Sequence, residues 1–439
     1  MKPLREWDKR SIGEEGLTRP IANRLLGVAR ASSLGGVEGT RILIDGGRYL
    51  RAQNIVGVLA AGEHALEILP KVDGVEETQG ARERLVHMLS TVYDLEIAPG
   101  SAAELGVQRE TLLEILIRLF ADRLIDAVRR GMPRRYVEHT DDLPSLRGRL
   151  AVVRQFTTLA ANPSRLACRY DDLSPDILLN RIMKSAVQRL RKIARRSETQ
   201  RRLAELSFAY ADVGDVASRD IPWADLHLDR IDRRWAPLVR LAKLILGGDY
   251  QTTSSGQVAG TSLLFDMGEL FEAYVARRLQ RALRGLGYQV VAQGGRRCCV
   301  AELDAEGRHG RERFQTRPDI LVKQGSEVRM VVDTKWKRLK LTRDEAKRGV
   351  VQNDVYQMMA YARLYESSRL MLLYPHHDAL EASGVLQRYA LAGGAERLSI
   401  ATVDLSTLSL VGAQLRNMVL SDLDPTHSAP SSGARASMA

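Results

Sequence analysis

An aspartate and a lysine two residues apart on one strand, with a second aspartate across a hairpin, can hold a divalent cation and a water beside a phosphate. The stretch Phe314–Lys337, FQTRPDILVKQGSEVRMVVDTKWK, has that spacing. Ile320–Lys323 and Val328–Val332 are apolar and strand-like, and they flank Gln324-Gly325-Ser326-Glu327, a turn-forming group. A hairpin centred on Ser326 sets Asp319 opposite Asp333, because both are equidistant from that centre. Side chains alternate along a strand, so Asp333 and Lys335 share a face and Asp319 joins them across the ladder. Two carboxylates that close repel and raise each other's pKa unless a cation lies between them. Asp319 and Asp333, with the Thr334 carbonyl, suit Mg²⁺, which keeps several waters and takes few protein carboxylates; Mn²⁺ is the natural substitute. Lys335 would orient the attacking water while the metal stabilises the leaving oxygen, which is the logic of phosphodiester hydrolysis. The rival reading is a solvated edge hairpin, since short Asp-x-Lys motifs recur by chance.

The neighbouring elements favour the chemical reading. Met267–Leu286 has the periodicity of an amphipathic helix, with Met267, Leu270, Phe271 and Tyr274 at core spacing. Glu272 falls one step off that stripe and is a candidate third metal ligand. Glu269, nearer the helix start, has a reason to exist in the helix dipole. Arg277, Arg281 and Arg284 form a stripe on the same helix that could follow a DNA backbone, although a charge stripe is also an ordinary solvated face. After the hairpin, Asn353–Glu366 reads as a second helix on which Gln357 and Tyr361 share a face and support the site. Met358-Met359 reads as core, Arg369–Pro375 as a buried strand, and His376-His377 as surface. The order helix, two or three strands, helix, strand is that of the PD-(D/E)xK restriction-endonuclease-like core. A Gln-x-x-x-Tyr pair after the Asp-x-Lys strand also resembles the arrangement in RecB-like nucleases.

The 439 residues imply two or three domains, with 44% hydrophobic and 27% charged residues excluding wholesale disorder. A net charge of +11 suggests a polyanionic partner. Three cysteines, Cys168, Cys298 and Cys299, without a CxxC pair, exclude a disulfide framework and point to a reducing cytoplasm. The charged first residues lack a signal peptide's apolar core, and no apolar run is long enough to span a membrane. Residues 41–72 read as a small antiparallel sheet, and periodic apolar residues predict helices around Leu85–Val92 and Leu112–Val128. Residues 134–172 read as irregular with a strand-like piece at Arg149–Arg154, and Asp176–Ser197 as a helix. Nine Lys/Arg against the single acid Glu198 between Arg181 and Arg202 form a basic run open to contact with DNA. Thr252–Gly260 reads as a linker and the tail from Ser421 as disordered.

Several stretches together resemble the McrC family, the nuclease subunit of McrBC-type (type IV, 5-methylcytosine-dependent) restriction systems. They are LEILPKV (Leu66–Val72), GMPRRYVEHTDDLPSLRGRL (Gly131–Leu150), CRYDDLSPDILLNRIMKSA (Cys168–Ala186), FEAYV (Phe271–Val275), RPDILV and VVDTKWK. The resemblance implies a partner, an McrB-like AAA+ GTPase ring that recognises methylated double-stranded DNA and whose GTPase this chain stimulates. The sequence has no Gly-Lys dipeptide and so no phosphate-binding GxxxxGK[ST] loop; any NTP hydrolysis falls to another chain. Asp319, Asp333 and Lys335 correspond to the family's catalytic positions, Glu272 and Gln357 more loosely. The expected architecture is an α+β multidomain protein. A β-rich and helical motor-binding region (1–160) and a helical basic connector (161–255) precede an α/β PD-(D/E)xK domain (256–415) and a tail (421–439). The expected function is a Mg²⁺-dependent DNA endonuclease subunit. The alternatives are a stand-alone RecB-like nuclease and a non-catalytic activator of an AAA+ motor.

Overall fold

Ile55–Ala61 is apolar at nearly every position because it lies inside a sheet with partners on both sides. It pairs antiparallel with His64–Leu69 and, across the sequence, with Gly260–Asp266. The computed structural model describes residues 2–14, 16–36, 39–72, 78–94, 111–162, 164–247, 250–253, 260–307, 309–339 and 349–423. Gly57 is what lets the two distant strands meet. Its φ is +129°, and a Cβ there would lie 2.0 Å from the Leu263 carbonyl oxygen. Leu4–Arg5 adds a short parallel edge beside His64–Leu69. A second small sheet joins Lys9–Ser11, Tyr49–Ala52 and Leu43–Asp45. The expected sheet over 41–72 is therefore two sheets. Helix Arg19–Ala31 buries Ala22, Leu25, Leu26, Val28 and Ala29 in a core that also takes Leu59, Ile68 and Leu264.

The chemically interesting strands belong to a six-stranded sheet. Its order is Gln289–Ala292, Ile320–Gln324, Glu327–Thr334, Arg369–Pro375, Arg397–Val403, Gly384–Ala390. The first three strands are antiparallel, Glu327–Thr334 runs parallel to Arg369–Pro375 and that to Arg397–Val403, and the last strand turns back. A parallel neighbour needs a crossover, and helix Gln352–Tyr365 lies in that connection. This helix covers the face presented by Leu321, Val331, Leu370, Leu372, Leu398 and Ile400. The alternate residues Val322, Met330, Val332, Met371 and Leu373 are buried as well. On that side helices Met267–Ala282 and Val411–Leu423 pack against the sheet and each other. Between Gln289–Ala292 and Ile320–Gln324 the chain forms a two-stranded ribbon, Cys298–Leu303 with His309–Gln315. Among the described residues five strands, rather than two or three, thus separate the two helices.

The chain divides into two compact units differently from the expected plan. Residues 1–109 and 253–439 form one unit, and residues 110–252 form the other. No boundary falls at 160, because Arg135–Leu143 pairs along its length with Leu166–Ser174 across that position. Nor do residues 256–415 stand apart from the first hundred, since the pairing of Ile55–Ala61 with Gly260–Asp266 makes one sheet of both. The middle of the expected linker, 254–259, lies outside the described residues, while Gly260 already begins a strand. Helix Val411–Leu423 extends through 421–423, so the expected tail starts too early; 424–439 lie outside the described residues.

In the second unit, helices Leu112–Arg129, Leu178–Arg191, Ser197–Ala209 and Ala236–Leu246 bury one apolar face each. The expected helix to Ser197 ends at Arg191, and a second helix begins at Ser197. Residues 134–172 are more regular than expected: a long antiparallel pair with Arg149–Leu150 as a third strand, followed by a short helix at Val152–Phe156 in place of strand. Part of the basic run is neutralised by acids. Arg181 pairs with Asp176 at 2.7 Å, Lys184 with Asp215 at 3.1 Å, and Arg202 with Asp122 and Glu198. Asp122 and Asp215, both outside the run, supply counter-charge that the local composition lacks. Among the described residues no helix is long and apolar enough to cross a membrane.

Candidate active site

The hairpin Ile320–Gln324/Glu327–Thr334 brings Asp319, Asp333 and Lys335 to one end of the six-stranded sheet, with the help of a bulge. The turn itself is the two-residue Gly325-Ser326, with Gly325 at φ +60°, and it pairs Gln324 with Glu327 and Lys323 with Val328. Continued unchanged, that register would set Asp319 against Val332 and turn Asp333 to the other face. Arg329 is the extra residue of a bulge that moves the register by one, to Val322 with Met330 and Ile320 with Val332. The simple hairpin centred on Ser326 reaches the same juxtaposition without seeing its cause.

Asp333 is almost completely buried, at 1% exposure, and its Oδ2 lies 2.6 Å from Lys335 Nζ. Among the described residues no donor meets either Asp333 oxygen in hydrogen-bond geometry, so the Lys335 contact is ionic and Oδ1 is unsatisfied. Asp319 Oδ2 accepts from the Thr334 backbone N–H at 2.7 Å and from Thr334 Oγ1 at 2.9 Å. Lys335 Nζ donates to Gln357 Oε1 at 3.2 Å. Gln357 Nε2 donates to the Tyr361 hydroxyl at 2.7 Å, and that hydroxyl to the Arg317 carbonyl at 3.4 Å. The i, i+4 pair Gln357 and Tyr361 thus holds the lysine from the crossover helix.

Electrostatics mark the place as strained in charge. Burial, then the negative charge of Asp319, pushes the Asp333 carboxyl up to about 6. Asp319 is also raised, by burial working against its Thr334 hydrogen bonds. Glu272 is pushed up to about 7 by burial first and by Asp319 second, with Asp333 a smaller contributor. Burial pulls the Lys335 ammonium down, but Asp333, Asp354 and Asp319 outweigh it and the net shift is upward. The lysine is therefore held as a cation.

Glu272 comes from helix Met267–Ala282 and feels the charge of Asp319 more than that of Asp333. That arrangement leaves the three carboxylates looser than a closed cage: among the described residues no group of three or more His, Cys, Asp or Glu is ready to hold a metal ion. The donor set still fits a hard cation with few protein ligands. Its members are an unsatisfied buried carboxylate oxygen on Asp333, the partly free Asp319, and Glu272 at their margin.

Of the arginine stripe, Arg277 and Arg281 lie one turn apart on the helix. The helix ends at Ala282, so Arg284 lies in the following turn, and Arg281 pairs with Asp94 at 2.9 Å. Arg277 is exposed and lines, with Glu272 and Gln293, a cleft of about 380 Å³. Glu269 is exposed, Met358 buried, and Met359 41% exposed. His377 is buried rather than superficial, its Nε2 2.6 Å from the Leu339 carbonyl oxygen. Asp354 was not anticipated. Buried in the first turn of the crossover helix, it contacts Lys337 and lies 3.9 Å from Lys335 Nζ. An acid in a first helical turn is expected for dipole reasons alone, which hides such a role in sequence. Gln293 and Arg317 were missed too; the Gln293 N–H donates to the Asp319 carbonyl at 2.7 Å, and the Arg317 guanidinium bonds the Gln293 side chain.

Fold and site together define an α/β protein with a buried aspartate paired to a half-buried lysine, and a second aspartate, at the end of a mixed sheet. The pattern of the family described as McrBC 5-methylcytosine restriction system component matches residues 50–375, and the chain belongs to that family. Two solved structures share the fold. A chain of the refined half-complex from the tetradecameric assembly of Thermococcus gammatolerans McrB AAA+ hexamers with bound McrC is 21% identical. Its TM-score is 0.71, over 95% of this chain and 99% of that one. A chain of the Thermococcus gammatolerans McrBC complex solved by cryo-EM is 24% identical, with a TM-score of 0.54 over 64% of this chain and 87% of that one.

Proposed function

We propose that the chain is the DNA endonuclease subunit of a modification-dependent restriction complex. It would cut phosphodiesters by PD-(D/E)xK chemistry while bound to an McrB-like AAA+ GTPase ring that recognises methylated double-stranded DNA. The observation that carries the reading is the contact between buried Asp333 and half-buried Lys335, set beside Asp319, in a chain of this family. Asp319 and Asp333 would hold Mg²⁺ or Mn²⁺, with Glu272 and Thr334 completing the set. When bound, the ion supplies charge stabilisation at the scissile phosphate and a more acidic water. Lys335, beside its carboxylate neighbours, orients the attacking water. Gln357 and Tyr361 fix the lysine's reach. Partner binding is supported by the assembly of the Thermococcus chain with McrB AAA+ hexamers and by the lack of any Gly-Lys dipeptide here. Free cysteines suit a reducing cytoplasm.

The test is a separation of functions. Asp333→Ala and Lys335→Ala should each lower DNA cleavage at least about a hundredfold while leaving stimulation of the partner's GTPase intact. Unchanged restriction in a folded Asp333→Ala protein would leave only the non-catalytic activator. Robust cleavage by the purified chain without partner or nucleotide would instead favour a stand-alone nuclease.

A further inference from the structure

Glu6 lies on the far side of the sequence from the site, yet it is bonded to the residue next to Lys335. It is only 1% exposed. Its Oε1 and Oε2 accept from the Trp336 indole N–H at 2.9 and 3.0 Å, and Oε1 also accepts from the Lys71 backbone N–H at 2.7 Å. Its own N–H donates to the Leu69 carbonyl at 2.9 Å, which ties it to the end of the His64–Leu69 strand. On the other side, the Trp336 ring packs on Phe271 with centroids 5.2 Å apart. Phe271 adjoins Glu272 on the same helix. Trp336 is thus gripped between an N-terminal strand and the helix that carries one candidate ligand, immediately after the strand that carries the others.

A carboxylate costs several kcal/mol to bury unless its hydrogen bonds hold it, and burial has pushed Glu6 up to about 7. A leucine or methionine would fill such a place at no such cost. The polar anchor has a geometric effect that an apolar residue could not have: it fixes the rotation of the indole, and through it the backbone at Lys335–Lys337. Among the described residues that backbone also makes the bonds Lys335 N–H to the Leu373 carbonyl and Lys337 N–H to the Lys335 carbonyl, both 2.9 Å.

We infer that Glu6 is a positioning residue of the proposed nuclease site, acting through its hydrogen bonds to Trp336 to hold Lys335 in register with Asp333 and Glu272. The inference rests on the nuclease reading above. A displacement of about an ångström at a reacting group is worth roughly a hundredfold in rate.

The experiment compares cleavage by the full chain in complex with its GTPase partner. Trp336→Phe keeps the ring on Phe271 and removes only the N–H. It should slow cleavage by about tenfold to a hundredfold, with DNA affinity and GTPase stimulation unchanged. Glu6→Gln keeps an acceptor and should retain most of the rate, whereas Glu6→Ala should fall with Trp336→Phe, the double variant being no slower than either. Multiplying effects in the double variant would overturn the inference. A wild type that cuts beside an undiminished Trp336→Phe overturns it alone; a wild type that cuts no DNA in the complex with Mg²⁺ or Mn²⁺ present overturns the nuclease reading and this inference together.

Discussion

Asp333 is the residue on which the chemistry turns, because it combines deep burial, an unsatisfied oxygen and a contact to Lys335. Its grouping with Asp319 and Lys335 was legible in sequence, since alternation along strands and a symmetric hairpin depend only on local spacing. Arg329 was not legible as a bulge: nothing in VRM distinguishes an extra residue from a paired one. Nor was Glu6, whose partner lies hundreds of residues away. His87 offers a pH test at the same scale. Burial, then the charges of Arg278, Arg281 and Arg84, holds its imidazole down at about 4. Unfolded, it titrates near about 6.5, so unfolding takes up a proton between those values. Its contribution to stability is therefore present above about pH 6.5 and is lost as pH falls toward about 4. His87→Gln should flatten the difference in urea midpoint between about pH 5 and about pH 7; an unchanged difference would show that the imidazole does not carry it.

Elements were read well where periodicity is local and poorly where pairing is remote. The helices at Thr78–Val92, Met267–Ala282 and Gln352–Tyr365 follow from apolar spacing. The pairing of Ile55–Ala61 with Gly260–Asp266 does not, because no local signal names a partner some two hundred residues on. Gly57 is its clearest trace, and only in hindsight: a strand glycine marks either a bulge or a close approach. Gly57→Ala would drive a methyl group into the Leu263 carbonyl at a φ that an L-residue avoids. The expected cost is about 2 kcal/mol or more, lowering the thermal midpoint by about 4 °C or more. A midpoint equal to wild type would mean the two strands do not meet as described.

At the scale of the whole chain, the expected series of domains gives way to a unit built from both parts of the sequence and a second unit, 110–252, inserted into it. This changes how the proposed division of labour must be dissected. Removing residues 1–69 takes away Ile55–Ala61, Glu6 and much of the core around Leu25 and Leu59, and should abolish cooperative folding of the remainder. Replacing 110–252 by a flexible linker should leave a unit that still melts in one transition, measured by calorimetry. A first-unit protein that melts normally without residues 1–69 would refute the co-folding.

The central claim is that Asp319 and Asp333 share one divalent ion, and Mn²⁺ titration followed by electron paramagnetic resonance tests it without requiring partner or DNA. The wild-type chain should take up Mn²⁺ at a site whose affinity falls by about tenfold or more in both Asp319→Asn and Asp333→Asn, and by less in Glu272→Gln. Equal Mn²⁺ affinity in wild type and Asp333→Asn would contradict the account.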